Sequence, residues 1–189
     1  FRNKVGFNSC NLITADGGFD FSIDFNKQEQ LSSRLIFCEI VTAISVQKIG
    51  GDFICKFFDS YTTVTVKLLW LLNCLYEEVI ITKPFTSRPA NSEKYILSKN
   101  FRGVSITYLE KLYNVIKEWS HIEENGGFVE DIFEEKLYDK YIDLIEKYNK
   151  FNMFHQLQII KETIDIITGK KEVDEKNITE KQIDMALNW

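Results

Sequence analysis

The chain has 189 residues and a formal net charge of −5; 44% of it is hydrophobic, 14% aromatic and 27% charged. That composition excludes a disordered chain and a uniformly basic polyanion binder, and it supplies enough apolar material for an aromatic-rich core. The charge is uneven, with 11 basic and 10 acidic residues in 1–100 against 12 and 18 in 101–189, so a polyanion would have to be met by the first half.

In chain order, "FRNKVGFNSC" lacks a Met and runs almost at once into "CNLITAD" (10–16), a short β-rich run that ends on Asp16-Gly17-Gly18. It reads as a strand leaving into a tight loop, in a chain cut from a longer one. Residues 27–48 place Leu31, Leu35, Ile36, Ile40, Ala43 and Ile44 at helical spacing, with Gly50-Gly51 expected to stop the helix. "DFICKFF" (52–58) is continuously apolar, as in a parallel strand covered on both faces. A helix is expected over about 62–74, then strands at 77–83 and 93–99 that have no helix between them and could pair antiparallel at a sheet edge. "VKLLWLLNCLY" is too short to span a bilayer, so no membrane partner is expected.

From about residue 105 the pattern turns helical and acidic: "TYLEKLYNVIKEW", "VEDIFEEKLYDKYIDLIEKYNKF", "MFHQLQIIKETIDIITG" and "TEKQIDMALNW". Gly126-Gly127 should break the first from the second, Gly169 cap the third, and Thr179 open the last. Two units follow: an α/β unit over 1–104 and an acidic α-helical extension over 105–189. The extension reads as a solvated appendage, or else as a docking surface for a protein partner.

Cys10, Cys38, Cys55 and Cys74 form no CxxC pair and sit in apolar contexts, as small buried hydrophobes of a reducing compartment do. His121 and His155 lie far from any motif and read as surface or core-edge histidines rather than metal ligands. Trp70, Trp119 and Trp189 read as packing residues.

In an open α/β sheet, ligands bind outside the carboxyl ends of the strands, where Asp16 stands. Lys56 interrupts an apolar run, so its ammonium either snorkels to solvent or is partly desolvated; desolvation would lower its pKa and make it a usable base. "KPFTSRPANSEKY" adds Lys83, Arg88, Asn91, Ser92, Glu93 and Lys94 around another strand terminus. An amine with a tuned pKa and carboxylates that orient it form the set a proton-abstracting site needs.

"ADGGF", "GGDFICKFFD" and "KPFTSRPANSEKYILSK", in this order and spacing, resemble the FtsJ-type RNA ribose 2′-O-methyltransferases, and within them the cap-specific enzymes of eukaryotes and large DNA viruses. The resemblance covers about residues 9–102. It implies a Rossmann-like fold of which the C-terminal half is present, S-adenosyl-L-methionine as cofactor, capped mRNA as partner, and an intracellular location in cytoplasm or nucleus. It implies that Asp16, Lys56 and Glu93 are three members of a Lys-Asp-Lys-Glu catalytic tetrad, with Lys56 as the base. Asp16 and Gly17 would also meet the cofactor. Lys83, Arg88, Asn91, Ser92 and Lys94 are candidates for RNA contact, with Arg102 beside them. The family's first lysine, its glycine-rich cofactor loop and its ribose-gripping acid have no counterpart in these residues. An upstream segment or a partner chain is therefore expected to complete the fold. The alternatives are a related enzyme acting on ribosomal or transfer RNA, and a non-catalytic RNA-binding or scaffold subunit.

Overall fold

The computed structural model describes residues 2–18, 27–84, 87–173 and 175–187. One helical turn, α1 (Arg2–Val5), precedes β1 (Cys10–Ala15), α2 (Gln28–Val46), β2 (Gln47–Phe57), α3 (Thr63–Leu75), β3 (Tyr76–Thr82) and β4 (Lys94–Phe101). Three further helices follow: α4 (Ile106–Glu124), α5 (Asp139–Ile167) and α6 (Glu175–Leu187). Trp189 lies outside the described residues.

The strands form one sheet in the order β1-β2-β4-β3. β1 and β2 are parallel, and β4 is antiparallel to both its neighbours. The antiparallel pairing of the last two strands is as expected, but only β3 lies at the edge. The crossover through α3 carries β3 one strand position past β2, and β4 returns into the gap. A returning strand needs only a short connection, whereas the parallel crossovers need their helices.

Strand periodicity of two divides the sheet into unlike faces. Phe53, Cys55 and Phe57 of β2 and Ile96 of β4 are buried in a core with Phe37, Ile40 and Ile44 of α2 and Leu68, Leu69 and Leu72 of α3. On the opposite face, the paired row Thr14, Ile54, Leu97 and Ile80 contains no buried residue. Among the described residues, β2 is therefore buried on one face and only partly covered on the other. Among the described strands, β1 pairs only with β2, and Leu12 on it is 59% exposed.

Gly50-Gly51 does not end α2. The helix stops at Val46, β2 begins at Gln47, and both glycines lie inside the strand. Gly50 has φ +82, and the β1–β2 register slips between Cys10 and Leu12. A Cβ on Gly51 would stand 2.7 Å from the Asn11 carbonyl and 2.9 Å from that of Lys48. These glycines let a bulged strand pass close to its neighbour.

The core continues past residue 104. Leu109, Leu112 and Trp119 of α4 are buried in it, with Trp119 stacked on Phe37 at 5.8 Å. Residues 128–138 are irregular rather than helical, and Val129, Ile132 and Leu137 within them are buried. Lys67 of α3 is buried beneath this segment, donating to Asp131 at 2.8 Å and to the Phe133 carbonyl. α5 packs Tyr141 on Trp70 at 4.8 Å and buries Ile145. The two helices expected across 129–169 are a single helix that begins at Asp139 and passes Asn152 without a break.

The glycines expected at the ends of the later helices do stand there. Gly126 (φ +74) and Gly169 (φ +70) take the left-handed conformation, and the amides of Gly127 and Lys170 reach back to Ile122 and Asp165. Thr179 does not open α6, which starts at Glu175. Of the cysteines only Cys55 is buried; Cys10 and Cys38 are intermediate and Cys74 is exposed. The distal part of α5 presents Phe151, Phe154, Leu157 and Ile164 to solvent.

Candidate active site

β1 and β2 end side by side because they are parallel, with Ala15 opposite Cys55. One residue further on, Asp16 and Lys56 meet. Lys56 Nζ lies 2.8 Å from Asp16 Oδ1 and donates to the Asp16 carbonyl at 3.2 Å. The lysine side chain is 15% exposed and the aspartate 67% exposed, so a covered ammonium holds an accessible carboxylate. Lys56 is in register with Tyr95 across β2 and β4, and the Tyr95 hydroxyl donates to Asp16 Oδ1 at 3.5 Å. Glu93, two residues before Tyr95, acts on Lys56 electrostatically.

The charge state of Lys56 differs from the expectation. Burial alone would pull its pKa down, but hydrogen bonding and charge from Asp16, with further charge from Glu93 and Tyr95, push it above the ordinary lysine value. The neighbours that orient this amine also hold its proton.

Gly17 is needed for a reason other than ligand space. A Cβ there would stand 2.5 Å from Glu39 Oε1 and 2.9 Å from Leu35 Cδ2, and the Gly17 N–H donates to Glu39 Oε1 at 2.9 Å. The strand end is thus pinned to α2, and the Gly17 amide is already engaged. Gly18 faces Lys56, whose Nζ would lie 3.4 Å from an added Cβ. Glu39 also accepts from the Cys55 thiol at 3.7 Å; burial pushes its own pKa up, against the Gly17 and Cys55 hydrogen bonds and the Lys56 charge. Glu39 and Tyr95 are site residues that reading the sequence did not single out. A carboxylate inside "FCEIV", and a tyrosine two residues from Glu93, were the available signals.

The RNA-contact candidates divide into two groups. Arg88, Asn91 and Ser92, together with the catalytic candidate Glu93, line a groove of about 520 Å³ that also meets Phe58 and Tyr61. Ser92 Oγ donates to Gln28 at 2.8 Å, and Gln156 of α5 donates to the Ala90 carbonyl at 2.7 Å. Lys83 and Lys94 point inward instead. Lys94 is 5% exposed and bonds Asp59, and Lys83 bonds Asn91 and the Glu93 carbonyl. Both ammonium groups are engaged by acceptors of the protein itself. Arg102 sits beyond β4, its amide bonded to the Leu75 carbonyl, away from this groove. His121 and His155 are exposed, and Trp70 and Trp119 are packing residues.

A second cleft, of about 570 Å³, runs along the free side of β1. Its apolar wall comes from Leu12, Ile13, Ala15, Ala43 and Val46, and Asp16 and Glu39 stand at one end. Among the described residues, no helix is long and apolar enough to cross a membrane.

A lysine and carboxylates gathered at the carboxyl ends of parallel strands, beside two clefts, define an α/β protein of the ligand-at-strand-end class. The family described as FtsJ-like methyltransferase matches residues 1–101, over half of the chain, and the chain belongs to that family. It is 44% identical over 119 residues to cap-specific mRNA (nucleoside-2′-O-)-methyltransferase 1 of Mus musculus, covering 61% of this chain and 14% of that protein. The Homo sapiens protein of that name is 44% identical over 106 residues, covering 54% of this chain and 13% of the relative. The Caenorhabditis elegans protein of that name is 37% identical over 134 residues, covering 71% and 14% respectively. The chain thus spans about 14% of the length of the first of these relatives.

Proposed function

We propose that this chain carries the catalytic strand ends of an RNA ribose 2′-O-methyltransferase that acts on the first transcribed nucleotide of capped mRNA. The observation that carries the reading is the Lys56–Asp16 pair at 2.8 Å, with Glu93 and Tyr95 beside it, inside the family-matched residues. The cap substrate is inferred from the names of the similar proteins.

S-adenosyl-L-methionine, when bound, supplies a methyl group on a sulfonium cation. The residues present fit one end of that molecule. Asp16 and Glu39 offer two carboxylates beside an apolar cleft, which suits a sulfonium. An upstream segment or partner chain along the free side of β1 would supply the remaining cofactor contacts.

Lys56 is assigned the 2′-hydroxyl. As an ammonium it can hold that oxygen in place; to remove the proton it must first be neutral. Asp16 and Glu93 orient it, and their charges are also what keep it protonated. Where Asp16 faces a cation in the cleft, less of its charge acts on Lys56, and the amine becomes a better acceptor. A neutral Nζ would then take the 2′-hydroxyl proton, while the bound cofactor would supply the methyl group, its C–S bond breaking to leave a neutral thioether.

The test is Lys56→Ala, assayed by transfer of labelled methyl to capped and uncapped RNA by the protein containing this chain. Loss of a general base costs about 10²- to 10⁴-fold in rate. Turnover should fall within that range while RNA binding persists. Near-native turnover in the variant would remove Lys56 as the base. Equal use of uncapped RNA by the native protein would remove the cap assignment.

A further inference from the structure

We propose that Lys83 and Lys94 are positioning residues for Glu93: together they hold the extended segment that presents its carboxylate to Lys56. The inference rests on the assignment of Glu93 to the methyl-transfer site.

Three successive backbone carbonyls lead into β4 ahead of its first ladder pair. Lys83 Nζ takes the first and third, donating to the Asn91 and Glu93 carbonyls at 2.9 Å each, and also to Asn91 Oδ1 at 2.6 Å. Lys94 Nζ takes the middle one, the Ser92 carbonyl, at 2.9 Å. It also bonds Asp59 Oδ1 at 3.0 Å and the Phe58 carbonyl at 3.3 Å. An ammonium has three protons, so these acceptors saturate both lysines.

Sheet parity explains why these lysines turn inward. Lys94 pairs with Phe57 on the helix-covered face, whereas Lys56 pairs with Tyr95 on the other. Lys83 follows Thr82, which pairs with Tyr95, so it continues β3 at the level of Lys94. Two cations this close disfavour each other: burial lowers the Lys83 pKa, and the Lys94 charge lowers it further. Their converging acceptors offset that repulsion. Carbonyls that enter a sheet without a ladder partner must find a donor elsewhere, and here the donors are side chains that cannot shift without losing several bonds at once. Glu93 is thereby held at its own carbonyl and at the two carbonyls before it.

The experiment compares Lys83→Met, Lys83→Arg and Lys94→Met with the native protein. Two readouts are made: hydrogen exchange across residues 87–93, and methyl transfer to capped RNA as kcat and KM with their salt dependence. A misplacement near 1 Å costs up to about 10²-fold in rate. The Lys83 variants should exchange faster in this segment and lose roughly tenfold or more in kcat, with KM for RNA and its salt slope unchanged. Arginine keeps the charge, but its planar guanidinium cannot converge on these three acceptors, so it should not rescue. A phosphate contact predicts the opposite: kcat intact, KM raised, a shallower salt slope and rescue by arginine. That pattern, or native exchange in Lys83→Arg, would overturn the proposal. If the native protein transfers no methyl group to RNA, the functional reading fails, and hydrogen exchange alone still decides whether the two lysines hold the segment.

Discussion

Asn149 tests whether the helices beyond residue 104 belong to the body that carries the site. Its side chain closes a two-bond ring with Ser60: Ser60 Oγ donates to Asn149 Oδ1 at 2.7 Å, and Asn149 Nδ2 donates to the Ser60 carbonyl at 2.7 Å. Ser60 is 1% exposed and follows Asp59, the partner of Lys94. Asn149→Ala removes both bonds, each with a net worth of about 1 kcal/mol, and strands the Ser60 hydroxyl and carbonyl in a nearly dry site. Water entry at the partly exposed Asn149 would return some of the loss. A destabilisation of about 2–4 kcal/mol is expected. With a urea dependence of about 1–3 kcal/mol/M, the unfolding midpoint should fall by roughly 1–2 M. Fluorescence of Trp70, which packs on Tyr141 of α5, and of Trp119 in α4 should report one shared transition. Lys150→Ala, which removes only an exposed pair with Glu146 at 3.3 Å, should leave the midpoint in place. An Asn149→Ala midpoint within error of native, or an early separate transition already present in the native protein, would refute the integral role of α5.

Two carboxylates should leave opposite marks on stability against pH. Glu39 has its folded pKa raised by burial, so the folded state binds the extra proton; its contribution is lost as pH rises from the ordinary carboxylate range through the raised value. Glu39→Gln should therefore gain stability relative to native between acid and neutral pH in parallel urea titrations, and a pH-independent difference would contradict this. Burial alone would raise the Asp131 pKa, but hydrogen bonds from Lys67 and from the Phe133 and Ile132 amides bring it below the usual value. Its stabilisation is present above the unfolded carboxylate value and is lost as pH falls through the folded one. Asp131→Asn should cost about 1–2 kcal/mol at neutral pH, modest because the carboxylate is half exposed, and the gap from native should close in acid. A gap that persists under acid conditions would assign the loss to packing instead.

Much of the candidate site was legible because its residues stand where local patterns end. Asp16 closes an apolar run before two glycines, and Lys56 breaks another such run. The strand order was less legible, since nothing local to 93–99 says that β4 enters between β2 and β3. The inward turn of Lys83 and Lys94 follows from strand parity, which is defined only once the register with Phe57 and Tyr95 is known. Gly50-Gly51 resembles a helix stop in sequence because glycine serves both helix ends and bulges; contact with the Asn11 carbonyl decides between them. The direction of the Lys56 pKa shift was missed for a related reason. Burial is readable from apolar neighbours in sequence, but the carboxylates that outweigh it lie 40 residues upstream and 37 downstream.

By itself the sequence determined the class of the fold and the placement of most strands and helices, because apolar periodicity and turn chemistry are local properties of the chain; the grouping of Asp16, Lys56 and Glu93 came from a resemblance to a family. Only the tertiary structure decided which lysine reaches the open face, which glycine makes room for a backbone, and that α4 and the first turns of α5 share the core of the sheet. Those outcomes depend on register, on crossover reach and on burial between distant segments, which exist only after the chain has folded.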